Sequence, residues 1–256
     1  MKNKFTILGC GSSLGSPWIT SYWGSCQKND KKNIRTRCSA HFQYKDISVL
    51  IDTSPDLKQQ FITNKLKNID AVIYTHEHAD QTFGIFELRP FFWLNKKKIN
   101  IYGSKKTIKD IKKKFDFCFK EKQGYRPILK GHTINKKFYI TKGKNKIKID
   151  SFEALHGMTK STVYIINKIA YLSDCSFIPQ ISRKYLYNLD CIIIDCLRVK
   201  SHPGHFNLDT ALSLAKEFDA KKTILTNLHV SLDYGLLKRT LPSNIVPAFD
   251  GMNFNF

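Results

Sequence analysis

The stretch DAVIYTHEHAD, residues 70–80, runs from an apolar segment straight into two histidines and two carboxylates within five positions. In an extended chain, residues i and i+2 share a side. His76 and His78 therefore point the same way, and a tight turn brings Asp80 in beside them. Loops at the ends of buried strands are where an α/β scaffold presents its chemistry. Two imidazoles and a carboxylate are borderline-to-hard donors suited to Zn²⁺, Mn²⁺ or Fe. A plain polar loop is the competing reading, but alternate ligand-type residues after a strand argue for a metal site.

A metal centre needs ligands from elsewhere in the chain, and the same address recurs. His156 follows IDSFEAL, Asp174 follows IAYLS, and His229 lies just past TILT. Of the eight histidines, His76, His78, His156, His205 and His229 are candidates. His41, His132 and His202 lack this support and read as surface or core residues.

The rest of the chain fits an α/β order. VLI before Asp52 is a strand, and TSPDLKQQF starts a helix with Ser54 as N-cap and Pro55 in the first position. INIYGS is a strand. Ile108, Ile111, Phe115 and Cys118 recur at helical spacing in SKKTIKDIKKKFDFCF, which predicts an amphipathic helix with its lysines outward. GKNKIKIDSFEAL alternates as a strand, STVYII and KIAYLSD flank a hairpin turn at Asn167-Lys168, and LDCIIIDC reads as a buried strand. NLDTALSLAKEFDA is a helix, and KKTILTNLH a strand ending in polar residues. Hairpins early and late, with helices between, predict one domain over residues 1–256, an α/β sandwich of two facing sheets with helices outside. The glycines of GCGSSLG match neither phosphate-loop pattern, so a tight turn after the first strand is expected.

Composition narrows the setting. No apolar run nears the roughly 18 residues needed to span a bilayer, and the short N-terminal apolar stretch reads as a strand, so a cytoplasmic protein is expected. The seven cysteines form no C-x-x-C pair and read as reduced, buried small hydrophobes. A net charge of +21 attracts polyanions and small phosphorylated substrates alike. An abundance of lysine with Asn and Ile also fits plain compositional bias.

In order, THEHAD, LHG, LSD, GHFNLDTAL and ILTNLH resemble the metallo-β-lactamase superfamily of dinuclear metal hydrolases. With GCGSSLGSP, RCSAHF, GIFELRPF and LPSNIVPAFDGM, the chain looks most like the phosphoribosyl cyclic phosphodiesterases of phosphonate breakdown. The resemblance implies a four-layer αββα sandwich with the site along one edge of the sheets, and a homodimer. It makes His76, His78 and His156 ligands of one metal, Asp80 and His229 ligands of a second, and Asp174 the bridge. The family's catalytic histidine falls on His205. Two positions depart from the pattern. The family reads H-x-H-x-D-H, and this chain has Gln81 in the last place. The family's terminal ligand often follows LT directly, where this chain has Asn227; His229, two residues on, is expected to substitute. Two divalent ions, zinc or manganese, are thus implied, the second bound more weakly.

The activity this implies is metal-dependent hydrolysis of a small anionic phosphodiester, a ribose cyclic phosphate, by a metal-bridged hydroxide. Asp80 and His205 carry the catalysis, and Arg35, Arg37 and Arg89 are candidates to grip a phosphate. Two alternatives stand beside this reading. One is an RNA-processing endonuclease of the same superfamily, with the Lys-rich stretch from Lys96 to Lys122 in place of an RNA-gripping arm. The other is a non-catalytic binding protein with an incomplete second metal site, motivated by Gln81 and Asn227. A thioester hydrolase or lactamase is a weaker option, since nothing outside the metal site points to such substrates.

Overall fold

The computed structural model describes residues 3–121 and 124–256. Lys122, the end of the Lys-rich stretch, lies outside the described residues. Strands β1 (Lys4–Gly9), β2 (Ser39–Tyr44), β3 (Ile47–Ile51), β4 (Ala71–Ile73), β5 (Ile99–Gly103) and β6 (Leu129–Thr133) lie side by side in that order. A second sheet is built from β7 (Lys137–Lys142), β8 (Asn145–His156), β9 (Thr159–Ile166), β10 (Ile169–Leu172), β11 (Cys191–Asp195), β12 (Lys222–Thr226) and β13 (Ile245–Pro247). The last strand, β14 (Asn253–Asn255), returns to pair with β1, so each sheet has seven strands.

Each sheet joins an antiparallel part to a parallel part. Strands β1–β3 and β7–β10 pair antiparallel, while β3–β6 and β10–β13 pair parallel. Parallel strands are covered on both faces and become continuously apolar. In β11, Cys191 and Ile193 enter the core between the sheets, while Ile192 and Ile194 face the outer helices. The inter-sheet core also takes Phe5, Phe42, Tyr164 and Tyr171. Two further cores lie between the sheets and the helical layers. The four-layer sandwich expected from the sequence is the fold observed.

The helices follow their sequence signals with local shifts. The helix α1 (Leu57–Thr63) begins later than Ser54-Pro55 suggested. Ser54 Oγ instead accepts from the Asp56 N–H, closing a turn ahead of the helix, whose N-cap is Asp56. Leu57 and Phe61 are buried as their spacing requires. The short α2 (Ala79–Thr82) starts within the histidine cluster and leads through a 3₁₀ segment to α3 (Arg89–Asn95). In α4 (Lys105–Lys114), Ser104 caps the Thr107 N–H, and Ile108 and Ile111 are buried. The last part of the predicted helix, Asp116–Cys118, tightens to a 3₁₀ turn. A single turn, α5 (Gln180–Arg183), precedes β11, and α6 (Leu208–Phe218) is capped by Asn207, whose side chain accepts from Thr210 N. Last comes α7 (Tyr234–Thr240). The seven cysteines are all free and buried. Among the described residues, no helix is long and apolar enough to cross a membrane.

Candidate metal centre

The last residues of β8 and β11, His156 and Asp195, and the loops after β3, β4, β10 and β12, with Asp52, His76, Asp174 and Asn227, carry the polar residues of one edge. Three of these residues, Asp52 (φ 60°), Asp174 (φ 55°) and Asn227 (φ 62°), are left-handed. Short polar side chains tolerate that conformation better than other non-glycine residues. It turns the chain sharply at the strand end, and such backbone outliers gather at functional sites.

His76, His78 and His156 converge, with one potential ligand atom from each within 4.8 Å of the others. His156 Nε2 and His78 Nδ1 lie 3.2 Å apart. A ligating imidazole is normally fixed by a hydrogen bond on its other nitrogen. His156 Nδ1 donates to the Gly204 carbonyl at 2.6 Å, and His76 Nδ1 is 3.1 Å from Thr75 Oγ1. The fully buried Asp52 holds Thr75 in turn, accepting from its N–H and its hydroxyl at 2.8 Å each. His76 Nε2 is left buried without any protein partner. A buried imidazole nitrogen with no partner costs free energy unless something outside the chain meets it, and a divalent ion among three imidazoles would do so. Burial holds the His76 ring at a pKa of about 3, with the other histidines adding to the effect and Asp174 opposing it. Burial, then His156, lowers His78 as well. Neutral imidazoles are the form a metal binds.

Gly204 allows the close contact with His156. A Cβ there would meet the His156 ring at 3.3 Å. Gly157, with φ +58°, makes the turn from β8 into β9 directly after His156.

Asp174 sits beside this cluster, and His156, Asp174 and His205 form a second group with ligand atoms within 4.8 Å. Burial alone would raise the Asp174 pKa. The imidazoles of His76, His205 and His156 outweigh it and hold the carboxyl below its ordinary value. Asp80 lies in the first turn of α2, and burial followed by the nearby Asp174 charge pushes it up to about 6.

His205 is oriented by Asp195, whose Oδ2 accepts from Nδ1 at 2.8 Å. Asp195 is fully buried and also accepts from the Cys175 N–H. Burial lowers the His205 pKa, but the Asp195, Asp174 and Asp80 charges more than reverse it, to about 9. His202 packs beside His205 with ring centroids 5.0 Å apart, so it is closer to the site than its lack of a strand-end address implied. Asp195 closes the apolar run CIIID, the same address that marked Asp174, and that signal could have found it.

Other expected residues stand elsewhere. His229 does not join the cluster. Its Nδ1 lies 2.9 Å from Ser231 Oγ, and its ring packs on Trp18 with centroids 5.7 Å apart. The extended alternation that would have aimed it inward is broken by the left-handed Asn227. Asn227 itself points in, donating to Asp195 Oδ1 at 3.1 Å and Asp174 Oδ1 at 3.4 Å. Arg35, at 2% exposure, is buried rather than open to a substrate. Its guanidinium donates to the Leu232 and His229 carbonyls and to Asn33 Oδ1. Arg37 is tied to Asp56 at 2.8 Å. Arg89 lies over the Phe86, Tyr125 and Trp93 rings, at 5.5, 5.8 and 6.0 Å. With Phe86, Phe117 and Arg126 it lines a cavity of about 340 Å³ that no residue of the histidine cluster enters.

Known proteins show the same architecture. A diphosphatase of the PhnP family, known from its crystal structure, is 32% identical with a TM-score of 0.90, over 100% of this chain and 98% of that one. Human short-form tRNase Z matches with a TM-score of 0.70 at 20% identity over 98% of each chain, a likeness of fold. The octanoyltransferase of Porphyromonas gingivalis is 27% identical over 255 residues, covering 96% of this chain and 50% of that protein. This chain thus spans about half the length of that curated relative. The model of the beta-lactamase superfamily domain matches residues 48–227, from β3 to the inward-pointing Asn227. The chain therefore belongs to the metallo-β-lactamase superfamily of hydrolases, in which it resembles the PhnP family.

Proposed function

We propose that the chain is a metal-dependent phosphoesterase acting on a small anionic phosphodiester, a ribose cyclic phosphate first among them. The observation that carries this reading is one edge of the sandwich holding three converging imidazoles, with the His205–Asp195 pair beside them. His76, His78 and His156 are the residues to hold a divalent ion, and Asp174 lies at hand as a further ligand. Such an ion lowers the pKa of a water and takes up charge on a phosphoryl oxygen.

The chain's own residues supply the proton chemistry. A departing alkoxide needs a proton, and His205, held at about 9, carries one at neutral pH. Its Nδ1 is committed to Asp195, which leaves Nε2 as the donor. The buried Asp195 fixes the ring and stabilises its charged form. Asp80, raised to about 6, is suited to exchanging a proton close to neutrality.

The test is a turnover screen of bis-p-nitrophenyl phosphate, ribose cyclic phosphates, a substrate containing a diphosphate linkage, and transfer RNA, each with Zn²⁺, Mn²⁺ and Fe²⁺. The relative named a diphosphatase is the reason for the third substrate. Turnover of a small diester that Asp174→Ala abolishes supports the reading. Cleavage of transfer RNA alone would replace it with the nuclease, and no hydrolysis under any metal with a bound ion present would favour the binding protein.

A further inference from the structure

We propose that this centre is built for one divalent ion, because two carboxamides fill the place that a second would take between the carboxylates. The inference rests on the reading of His76, His78 and His156 as an ion site. Gln81 is fully buried, and its Nε2 donates to Asp174 Oδ2 at 3.1 Å and to Asp80 Oδ2 at 3.3 Å. One amide nitrogen thus links two acids. Asn227, 2% exposed, does the same on the other side, donating to Asp174 Oδ1 at 3.4 Å and Asp195 Oδ1 at 3.1 Å. Three carboxylates that would otherwise repel one another are joined by amide hydrogens.

The chemistry of the amide fixes this arrangement. An amide nitrogen carries two donors and no lone pair for a metal. Turning the Gln81 amide over would bring its oxygen against the Asp174 and Asp80 oxygens, acceptor to acceptor, so those acids hold its nitrogen toward them and leave Oε1 buried without a protein partner. Asn227 Nδ2 faces the Asp174 and Asp195 oxygens in the same way and also lies 3.1 Å from His205 Nδ1. A carboxylate has about four lone-pair positions. Gln81, Asn227 and the Ser173 hydroxyl (2.7 Å) occupy three of those on Asp174. About one remains, enough to join a single ion on the imidazoles and too few to bridge a pair. Positions 81 and 227 are also the two at which the chain departs from the histidines that the family resemblance implies. Charge building on the leaving group then falls to His205 rather than to a second cation.

Metal stoichiometry tests this directly. The chain is stripped with chelator, reloaded with Zn²⁺ or Mn²⁺, desalted, and assayed for metal per chain by mass spectrometry, with calorimetric titration alongside. One equivalent in the wild type is expected, rising to two in the Gln81→His/Asn227→His double variant. Two tightly held equivalents in the wild type would overturn the inference and leave the ion-site reading standing, since the amides would then have turned their oxygens to the metal. A folded double variant that stays at one equivalent would overturn the role given to the amides. If the double variant does not fold, the wild-type count decides alone. No metal in the wild type would overturn both this inference and the functional reading beneath it.

Discussion

His205 Nδ1 and Asp195 Oδ2 lie 2.8 Å apart, an imidazole–carboxylate pair beside a cluster of three other histidines. Asp195 is fully buried and has no route to solvent except through its partners, so its charge acts on His205 with little screening. The pair makes His205 a charged proton donor with a fixed ring orientation, which an isolated surface histidine is not.

The first expectation concerns that pair. His205→Ala removes the proton donor and should lower kcat by roughly 10²–10⁴-fold, the usual span for general acid help. Asp195→Asn keeps the shape and removes the charge that raises His205. The alkaline limb of the pH–rate profile should then move to lower pH, with metal content unchanged. An unmoved alkaline limb would sever the link between the two residues.

The ion site predicts a coupling between metal and stability. Whatever binds only the folded chain stabilises it, by about 2.7 kcal/mol at a hundredfold excess over Kd. Chelator should therefore lower the unfolding temperature of the wild type, and readdition of Zn²⁺ or Mn²⁺ should restore it. His156→Ala should abolish both the bound metal and the response to chelator. Gly204→Ala is a subtler probe, since its methyl would sit 3.3 Å from the His156 ring and displace it. Weaker metal binding with an intact fold is the expected outcome.

Arg35 separates a packing role from a substrate role. Replacing it with Met keeps most of the volume but leaves the Leu232 carbonyl and Asn33 Oδ1 without this donor inside the protein. Each such loss costs about 1–3 kcal/mol. Thermal unfolding should move down by roughly 5 °C or more. The KM of the folded enzyme should stay within a few-fold. A large rise in KM with unchanged stability would restore Arg35 as a phosphate grip.

The contrast between these residues shows what could be read from the chain alone. His76, His78, His156 and Asp174 carry a local signature, a ligand-type residue just past an apolar run, and the structure brings all four together. The αββα layers were legible for the same reason, since strand and helix periodicities are local. His229 and Arg35 were misplaced because their surroundings are not local. The aim of His229 depends on a left-handed φ of 62° at Asn227. The burial of Arg35 depends on the Leu232 carbonyl, 197 residues away. The amide clamp on Asp174 likewise joins positions 93 and 53 residues apart, and no spacing rule reveals it.

His41 gives a pH prediction clear of the metal site. It is buried in β2, with Nε2 2.8 Å from Ser48 Oγ. The Ser48 hydroxyl donates to the Asn68 carbonyl, so it accepts from a neutral His41. Burial, reinforced by Lys4, lowers the His41 pKa from 6.5 to about 4. Between those values the unfolded chain binds a proton here and the folded chain does not. Stability therefore falls as pH drops from 6.5 toward 4 and is recovered above 6.5. The full shift corresponds to about 3 kcal/mol, an upper figure for one buried group. His41→Gln keeps a donor for Ser48 and cannot titrate. Denaturant unfolding of both proteins at a series of pH values should show the wild type losing ground to the variant across that window. Parallel pH curves would mean that His41 charges within the folded protein at little cost.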